Sequence, residues 1–470
     1  MARHGVAVLH ALRSDSRQTT ISHALCFARH LSNSDITYIN VFGELPEKTD
    51  FDLVIVTYEL AALRNLPIWK ELVRRIQPIL SNSHTRIVMP QDDYSRCAVL
   101  DDFIVSEKIQ AVFTPITRDL DQMYPRAVEA GVEFHEAFTG YFEESDWQRL
   151  IGFSRPFRDR KIEVGQRVRH LPPQLGRSAG IKGQLAIDFG RLAQDRGFNC
   201  NISTRSEDVL LGDAWWHFLG DTKFTVSRRG GASMADPTGR LADRVRRYQS
   251  RHPDATMSEI EENVSMKGGR LGDFSAISPR LFEAAALGVC QILEPDEYVE
   301  GLEPGVHYIP LKSDFSNIDQ VFETMLDLDR CEEIVHASQD LLLRSGKFTY
   351  KAFVKQLATA AGLNVESDSA AIYGDSSMTF DGIVAGSSAN LRWVQDYVRR
   401  AYIRGKIDKA VDNLEKGQLL VLGDQDNSMK LLAEKESESL IKWLTSFRSG
   451  NLLVESLAIP WRSAVSFMNN

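Results

Sequence analysis

The chain alternates short apolar runs with amphipathic helical patterns, and this alternation restricts the fold more than any other feature of the sequence. In its first part, runs typical of strands lie at 6–10, 36–41, 53–57, 86–89 and 111–114. Patterns with apolar residues three and four apart lie between them, for example at 21–31 and 69–80. Strands that alternate with helices in this way form parallel sheets, so an α/β fold is predicted.

A second series of the same kind begins after the charged, proline-containing segment 154–161, which we interpret as a linker. Its predicted strands lie at 162–164, 198–202, 224–226, 289–293 and 306–310. Its predicted helices lie at 182–196, 214–219, 240–251, 279–287 and 318–326. A helical stretch at 332–361 should close this series and cross back towards the first one.

Beyond residue 363 the pattern weakens, and two long helical patterns at 391–414 and 429–447 flank a short strand-like run at 419–422. A chain of 470 residues exceeds what one hydrophobic core usually organises. We therefore predict two Rossmann-like domains facing across a cleft, with a C-terminal, mostly helical extension. The predicted boundaries are 1–155 for the first domain, 156–362 for the second and 363–470 for the extension.

Charge and cysteine usage restrict the partners and the compartment. The net charge of −9 opposes a general nucleic-acid-binding role, because phosphate neutralisation needs an excess of Lys and Arg. The five cysteines show no metal-ligand spacing, which favours structural thiols in a reducing compartment. The apolar run at 5–9 is too short for a signal peptide or a membrane span. We expect a soluble, cytoplasmic protein; peripheral membrane association and the oligomeric state stay open.

Residues 278–288, Ser-Pro-Arg-Leu-Phe-Glu-Ala-Ala-Ala-Leu-Gly, carry the most informative pattern. Ser278 suits a helix N-cap, the proline suits the first helical position and the glycine suits the stop, so one short helix is predicted. Glu283 falls among apolar residues, where an ionised carboxylate needs hydrogen-bond donors. Ribose hydroxyls would serve as donors; a solvent-facing glutamate is the alternative.

A glycine pair with two arginines follows the predicted strand 224–226. Gly230 and Gly231 let the backbone approach a ligand closely, while Arg228 and Arg229 can donate charge-assisted hydrogen bonds to phosphate or sugar oxygens. This pattern predicts an anion-binding loop at the carboxyl end of a strand. A tight turn with two exposed arginines is the alternative.

A third basic cluster follows the first strand of the second series. Arg167, Arg169, Arg177 and Lys182 lead into a predicted helix, whose N-terminal amides also favour an anion. A charged surface loop is the alternative. Because all three segments belong to one predicted sheet, together they favour a site for a nucleotide diphosphate.

Residues 165–317 resemble the nucleotide-sugar-binding half of GT-B glycosyltransferases of the group-one type, including the spore-maturation-protein-like branch. Those families carry the pattern Arg-x-Phe-Glu-Ala-x-Ala-x-Gly before a strand, as residues 280–288 do here. The resemblance implies that Glu283 binds the donor ribose and that Lys182, with Arg167, Arg169 or Arg177, neutralises the diphosphate. It also implies that the neighbourhood of the glycine pair approaches the donor sugar. The predicted donor site is completed by two residues of the helix start, Ser278 and Arg280.

This sequence departs from the family at one position. Retaining members carry a second glutamate eight residues before the ribose glutamate, and that position is Ser275 here. Asp273 is only a nearby substitute, so the retaining outcome is in doubt.

The acceptor side is predicted from position alone. Asp92 and Asp93 follow the predicted strand 86–89 and should face the cleft. Adjacent carboxylates repel each other, which suits one of them to accept the proton of an attacking hydroxyl. They could equally be turn residues. His10, at the end of the first strand, is a weaker candidate for the base.

No metal ion or cofactor is predicted beyond the nucleotide sugar as co-substrate. Asp119-x-Asp121 matches the short metal-binding motif of GT-A enzymes, but the same spacing recurs at 327–329 and 424–426, and we interpret all three as structural.

The leading hypothesis is a metal-independent glycosyltransferase that transfers a sugar from a nucleotide-diphosphate sugar to a hydroxyl of a glycan, a lipid-linked sugar or a protein. A sugar-nucleotide epimerase of the same architecture and a non-catalytic nucleotide-sugar-binding scaffold are the alternatives. The donor nucleotide, the acceptor and the stereochemical outcome stay open.

Overall fold

The computed structural model describes residues 3–12, 18–31, 33–169 and 171–363. The predicted C-terminal extension, with its helices at 391–414 and 429–447 and its strand at 419–422, lies outside the described residues. Within the described ranges, no helix has the length and apolar character needed to cross a lipid bilayer.

The first sheet has six strands in the order β2-β1-β3-β4-β5-β6, and every neighbouring pair is parallel. Its strands are β1 His4–His10, β2 Ser34–Asn40, β3 Leu53–Val56, β4 Thr85–Val88, β5 Ala111–Thr114 and β6 Glu133–Glu136. The helices in this part are α1 Gln18–His30, α2 Tyr58–Ala62, α3 Trp69–Asn82, α4 Cys97–Ser106, α5 Leu120–Met123, α6 Pro125–Glu129 and α7 Glu144–Ile151. Every residue of β3 is buried, as expected for a parallel strand with helices on both faces of its sheet.

The second part contains a five-stranded parallel sheet in the order β13-β12-β9-β7-β8. It also contains a separate antiparallel pair of strands, β10 and β11, which are connected by the long segment 236–269 and which we call the β10-β11 hairpin. Its strands are β7 Ile162–Arg167, β8 Cys200–Ser203, β9 Thr222–Ser227, β10 Gly230–Ala235, β11 Arg270–Ala276, β12 Cys290–Leu293 and β13 Ile309–Pro310. The helices are α8 Ser178–Asp195, α9 Asp213–Gly220, α10 Arg240–Gln249, α11 Met257–Asn263, α12 Arg280–Ala286, α13 Ile318–Leu326, α14 Leu328–Gln339 and α15 Tyr350–Ala360.

The two parallel sheets confirm the predicted α/β class with two Rossmann-like domains. The sequence pattern missed β6 and the β10-β11 hairpin. β6, with the sequence Glu-Phe-His-Glu, is an edge strand with little apolar character. β10 contains two glycines, which are unfavourable in strands. The domain boundary near residue 155 stays a prediction.

The β10-β11 hairpin joins the second domain to the first. Ala232, Ala235 and Phe274 are buried in the hydrophobic core that also contains Leu9 and Val56 of the first sheet. The backbone N–H that follows β10, that of residue 236, donates to the Tyr94 carbonyl at 2.7 Å. The hairpin therefore contributes apolar side chains to the core of the opposite domain.

Helix α15 makes a second connection between the domains, in the direction that the sequence predicts. Tyr350, Phe353 and Leu357 pack into the core on the other face of the first sheet, together with Val8 and Phe27. These contacts place the last described helix of the chain against α1.

The predicted linker 154–161 is anchored by Arg160, which is 5% exposed. Its guanidinium donates hydrogen bonds to the carbonyl oxygens of Thr222, Leu287 and Gly288 in the second domain. Burial lowers the pKa of Arg160 to about 10. The segment is thus held against the start of β9 and the end of α12.

Candidate functional site

A cleft of about 730 Å³ lies where the strand order of the second sheet reverses. β7 has β8 on one side and β9 on the other, and such a switch point leaves a crevice beyond the carboxyl ends of the two strands. Loops that follow strands of the first sheet form one wall of the cleft, which we call the first wall. The second domain forms the facing wall, which we call the second wall. The lining residues of the first wall include Thr19, Asp92, Tyr94, Ile116 and Thr139. Those of the second wall include Arg169, Ser178, Lys182, Trp215, Gly230, Gly231, Ser278, Arg280 and Glu283.

The N-terminal turn of α8 faces this cleft. Ser178 and Ala179 begin the helix and line the cleft, so the positive end of the helix dipole points into it. Helix N-termini of this kind bind anions through their free backbone N–H groups.

Lys182 lies one turn further along α8 and is half-buried in the same wall. Throughout the described part of the chain, its ammonium group has no hydrogen-bond or ion-pair partner. Burial lowers its pKa to about 7, and repulsion by Arg280 and Arg228 adds to this shift. An anion in the cleft would remove this electrostatic penalty.

Arg169 also lines the cleft and is exposed. Like Lys182, it forms no ion pair with the residues that the structure describes. Among the exposed cations of the predicted basic cluster, Arg169 is the one that lines the cleft in the described part of the chain.

Glu283, on α12, is half-buried at the same cleft. Its Oε2 accepts a hydrogen bond of 3.0 Å from the indole Nε1–H of Trp215. Burial raises the pKa of Glu283, and the positive charge of Arg280 and the Trp215 hydrogen bond oppose that rise. The Glu283 carboxylate therefore accepts one hydrogen bond from the protein and also borders the cleft.

Arg280 lies at the first position of α12, with its guanidinium 5.0 Å from the ring centre of Trp215. It donates to Gln166 Oε1 at 3.3 Å and to the Arg167 carbonyl oxygen. The expectation that Ser278 caps this helix needs correction. The helix begins at Arg280 with Pro279 as its N-cap residue, and Ser278 Oγ accepts only a long bond of 3.4 Å from the Arg280 N–H.

The predicted anion-binding loop at 227–233 is partly a strand, because β10 begins at Gly230 and pairs with β11. Gly231 has φ of 144°, and a Cβ there would lie 2.3 Å from the Phe274 carbonyl oxygen. Close pairing of two strands therefore requires this glycine. Both glycines still line the cleft, and a Cβ on Gly230 would lie 3.6 Å from Lys182 Nζ.

Arg228 and Arg229 lie outside the lining of this cleft, although Arg228 borders a smaller cavity that shares Trp215 and Arg280 with it. Contact of these arginines with phosphate or sugar oxygens stays a prediction. Arg228 forms an ion pair of 2.9 Å with Glu294. Arg229 is buried and donates to the side chain and the carbonyl oxygen of Ser275, each at 3.1 Å. Its third contact is the Glu297 carbonyl oxygen. These arginines fix the loop after β9 to neighbouring segments.

Arg167 and Arg177 also lie outside the cleft lining. Arg167 donates to the Asn201 side chain at 2.7 Å and stacks over the ring of Phe218 at 4.3 Å. Arg177 is exposed and forms an ion pair of 3.4 Å with Glu261. Of the predicted basic cluster, the structure brings Arg169 and Lys182 to the cleft.

The two adjacent aspartates of the first wall have different surroundings. Asp92 is exposed, lines the cleft and accepts a hydrogen bond of 2.5 Å from the Tyr94 hydroxyl. Asp93 is fully buried and accepts hydrogen bonds from the hydroxyls of Thr114 and Tyr124. The structure therefore brings Asp92 to the cleft, and the expectation that Asp93 faces it needs correction.

His10 and Glu59 lie near the switch point of the first sheet, where β1 separates β2 from β3. His10 is 1% exposed, and its burial lowers its pKa to about 3, so its expected access to the cleft also needs correction. Burial raises the pKa of Glu59 to about 7, and hydrogen bonds from Thr57, from its own backbone and from Tyr58 oppose that rise. Neither residue lines the cleft described above.

Asp119, the first aspartate of the acidic motif, has a structural contact. Asp119 Oδ2 accepts the backbone N–H of Asp273 at 2.7 Å, while Arg118 forms an ion pair of 2.7 Å with the Asp273 side chain. Across the described ranges, no group of three or more His, Cys, Asp and Glu side chains could hold a metal ion.

Sequence reasoning missed the contribution of α9 to the site. Trp215 and Trp216 both line the cleft, and Phe218 stacks on Trp215 with ring centres 5.8 Å apart. The available signal is the sequence Trp-Trp-His-Phe at residues 215–218, an unusual concentration of aromatic rings on a short helix.

Neither a protein-family model nor a curated protein sequence matches the chain. Several solved structures show a distant likeness to it. TarM shares 8% identity at a TM-score of 0.35, over 66% of this chain and 54% of that one, so this chain spans about half the length of TarM.

HepE from Anabaena, in complex with UDP and glucose, shares 13% identity at a TM-score of 0.35, over 77% of this chain and 100% of that one. The pneumococcal O-GlcNAc transferase GtfA, in complex with UDP and GlcNAc, shares 13% identity at a TM-score of 0.31, over 66% and 56% of the two chains. At these scores, the residues of the cleft are the basis for assigning a function.

Proposed function

We propose that this protein is a GT-B glycosyltransferase, which transfers a sugar from a nucleotide-diphosphate sugar to a hydroxyl of a glycan, a lipid-linked sugar or a protein. The main support for this proposal is Lys182. Its half-buried ammonium group lies in the cleft and has no acidic partner among the described residues. A buried charge is costly unless it is paired. A diphosphate would supply the missing partner.

The neighbours of Lys182 support the same ligand. The N-terminus of α8, the exposed Arg169 and the guanidinium of Arg280 all border the cleft, so several positive groups converge on one region. Converging cations and helix N-terminal N–H groups suit an oxygen-rich dianion. We assign the diphosphate to this region.

Glu283 supports a nucleotide rather than a simple phosphate. Its carboxylate borders the same cleft and can accept hydrogen bonds from vicinal hydroxyls, such as those of a ribose. The motif at 280–288 implies the same role through the resemblance to group-one enzymes.

Membership of the spore-maturation-protein-like branch and a location in the cytoplasm, where nucleotide sugars are made, remain predictions.

The opposite wall is the proposed acceptor side. Asp92 is the exposed member of the predicted pair of bases and borders the cleft, from which an acceptor hydroxyl could transfer its proton. We propose metal-independent transfer, in which Lys182, Arg169 and Arg280 stabilise the negative charge that develops on the leaving diphosphate.

The binding step is tested by thermal unfolding with uridine, guanosine, thymidine and cytidine diphosphates, because a ligand of the native state raises its apparent stability. We expect at least one diphosphate to raise the unfolding temperature. Lys182→Met should weaken its binding by about 10- to 100-fold, the effect of losing a charged hydrogen bond. Arg177→Met is the matched control, because Arg177 lies outside the cleft lining. No response to any of the four diphosphates would contradict the proposal.

The catalytic step is tested with nucleotide sugars that carry the responding base, with and without acceptors. Donor consumption that requires an acceptor would support a transferase. Formation of an altered sugar nucleotide without an acceptor would instead identify an epimerase, and tight binding without turnover over a broad panel would identify a scaffold.

A further inference from the structure

Helix α9 carries an aromatic shelf, which we define as the rings of Trp215 and Phe218, and Trp215 also lines the cleft. The two rings are stacked at 24° between their planes, with centres 5.8 Å apart. Both side chains are buried, so the rings are fixed by packing. The spacing of three residues places them on one face of the helix.

Two arginines of the predicted donor cluster stack on this shelf. The guanidinium of Arg280 lies 5.0 Å from the Trp215 ring centre, and that of Arg167 lies 4.3 Å from the Phe218 ring centre. Arg280 also donates to the carbonyl oxygen of Arg167, which connects the two guanidinium-bearing segments. Cation–π contacts between partly desolvated groups stabilise the orientation of both side chains.

The edge of the Trp215 ring has a separate contact. Its Nε1–H donates to Glu283 Oε2 at 3.0 Å, on the carboxylate that the proposed function assigns to the nucleotide. One indole therefore contacts a cation through its face and an anion through its N–H. Phenylalanine could replace only the first of these contacts.

We propose that Trp215 is a positioning residue of the donor site, which orients the Glu283 carboxylate through its indole N–H and the Arg280 guanidinium through its ring. This inference rests on the proposed function, because the nucleotide is the ligand assigned to Glu283. Burial disfavours the ionised form of Glu283, whereas the positive charge of Arg280 and the N–H donor of Trp215 both favour it. Trp215 acts on the ligand through Glu283.

The first test needs no nucleotide. In protein labelled with ¹⁵N-tryptophan, the indole signal of Trp215, assigned by its loss in Trp215→Phe, should shift with pH as Glu283 gains a proton. In Glu283→Gln that titration should disappear. A Trp215 signal that titrates equally in Glu283→Gln would overturn the inference.

The second test measures the affinity of the responding nucleoside diphosphate against pH by calorimetry. Affinity should fall on the acid side, where Glu283 becomes protonated. Trp215→Phe removes a donor that stabilises the carboxylate, so this fall should move to higher pH by about one unit. In the Glu283→Gln background, Trp215→Phe should produce no shift in the pH profile.

Trp147→Phe on α7 is the matched control, because Trp147 lies outside the cleft lining, also has an arginine over its ring, and has an indole N–H without a hydrogen-bond partner among the described residues. It should leave the pH of the acid-side fall unchanged. An equal shift in both variants, or no shift in Trp215→Phe, would overturn the inference while leaving nucleotide binding established. A wild-type protein that binds none of the four diphosphates would instead overturn the proposed function, and this inference with it.

Discussion

The two walls of the cleft differ in how their ionisable side chains are partnered. On the second wall, Lys182 and Glu283 border the cleft, and the lysine has no acidic partner within the described ranges. On the first wall, Asp93 and His10 are buried, and Asp92 borders the cleft. This difference supports the proposal that the diphosphate binds to the second wall, and among the described residues Asp92 is the exposed carboxylate that borders the cleft on the first wall.

The sharpest test of this comparison is Asp92→Asn. Loss of a general base typically lowers the rate by about 10²–10⁴-fold, so turnover should fall by that amount while nucleotide affinity stays near the wild-type value. Asparagine keeps the Oδ1 that accepts the Tyr94 hydroxyl, so the loop should be retained. Transfer kinetics and calorimetry on the same preparation measure the two effects.

Asp93→Asn provides the contrast. It should lower the thermal stability, because Asp93 is buried and accepts two hydroxyl hydrogen bonds. If Asp92→Asn keeps near-normal transfer, Asp92 is not the base and the proton is accepted elsewhere. A reaction in which the leaving diphosphate accepts the proton would also leave Asp92→Asn active.

A smaller effect is expected on the second wall from Glu283→Ala. Loss of a charge-assisted hydrogen bond costs about 1.5–3 kcal/mol, which corresponds to roughly 10- to 100-fold weaker nucleotide binding. The helix should persist because alanine favours helices. Calorimetry gives the affinity, and circular dichroism gives the fold. Unchanged affinity in a folded variant would assign Glu283 a purely structural role as the acceptor of the Trp215 indole.

The pH dependence of diphosphate binding tests Lys182 separately. Its pKa is lowered to about 7 in the free protein, and a bound diphosphate favours the charged form. Below pH 7 the ammonium is already present; above it, binding must take up a proton, so affinity should fall by up to about tenfold per pH unit. Calorimetry from pH 7 to 9 checks the slope. Lys182→Met should remove this dependence, and an equal slope in the variant would contradict the assignment.

The smallest effect is expected from chelation. We expect EDTA to leave transfer at its original rate, because cations of the second wall are assigned to the diphosphate. The assay compares initial rates before and after metal removal. A strict requirement for manganese or magnesium would contradict metal-independent transfer and direct attention back to the aspartates at 119 and 121.

The sequence predicted those features of the site that depend on local signals. The proline before Arg280 and the glycine after Leu287 bound α12 to within one residue of the prediction. Helix α8 was predicted at 182–196 but begins at Ser178, so Lys182 lies one turn inside the helix rather than at its start. Short-range signals of this kind also predicted most strands of both sheets.

Features that depend on distant partners were not predictable from the pattern. Arg228 and Arg229 resemble phosphate ligands in sequence, yet Glu294 and Ser275 reach them from later segments. Asp92 adopts a left-handed φ of 52°, a conformation that aspartate tolerates in turns, and the next residue is buried. At this turn Asp92 is therefore exposed, whereas the adjacent Asp93 is buried.

The β10-β11 hairpin limits which parts of this chain can be exchanged with parts of another protein. Its apolar residues complete a core that belongs to the opposite domain, so excising either domain would leave a hydrophobic surface exposed to water. Grafting only the second domain onto a foreign partner would fail for the same reason. Successful chimaeras would have to exchange the hairpin together with the surface that receives it.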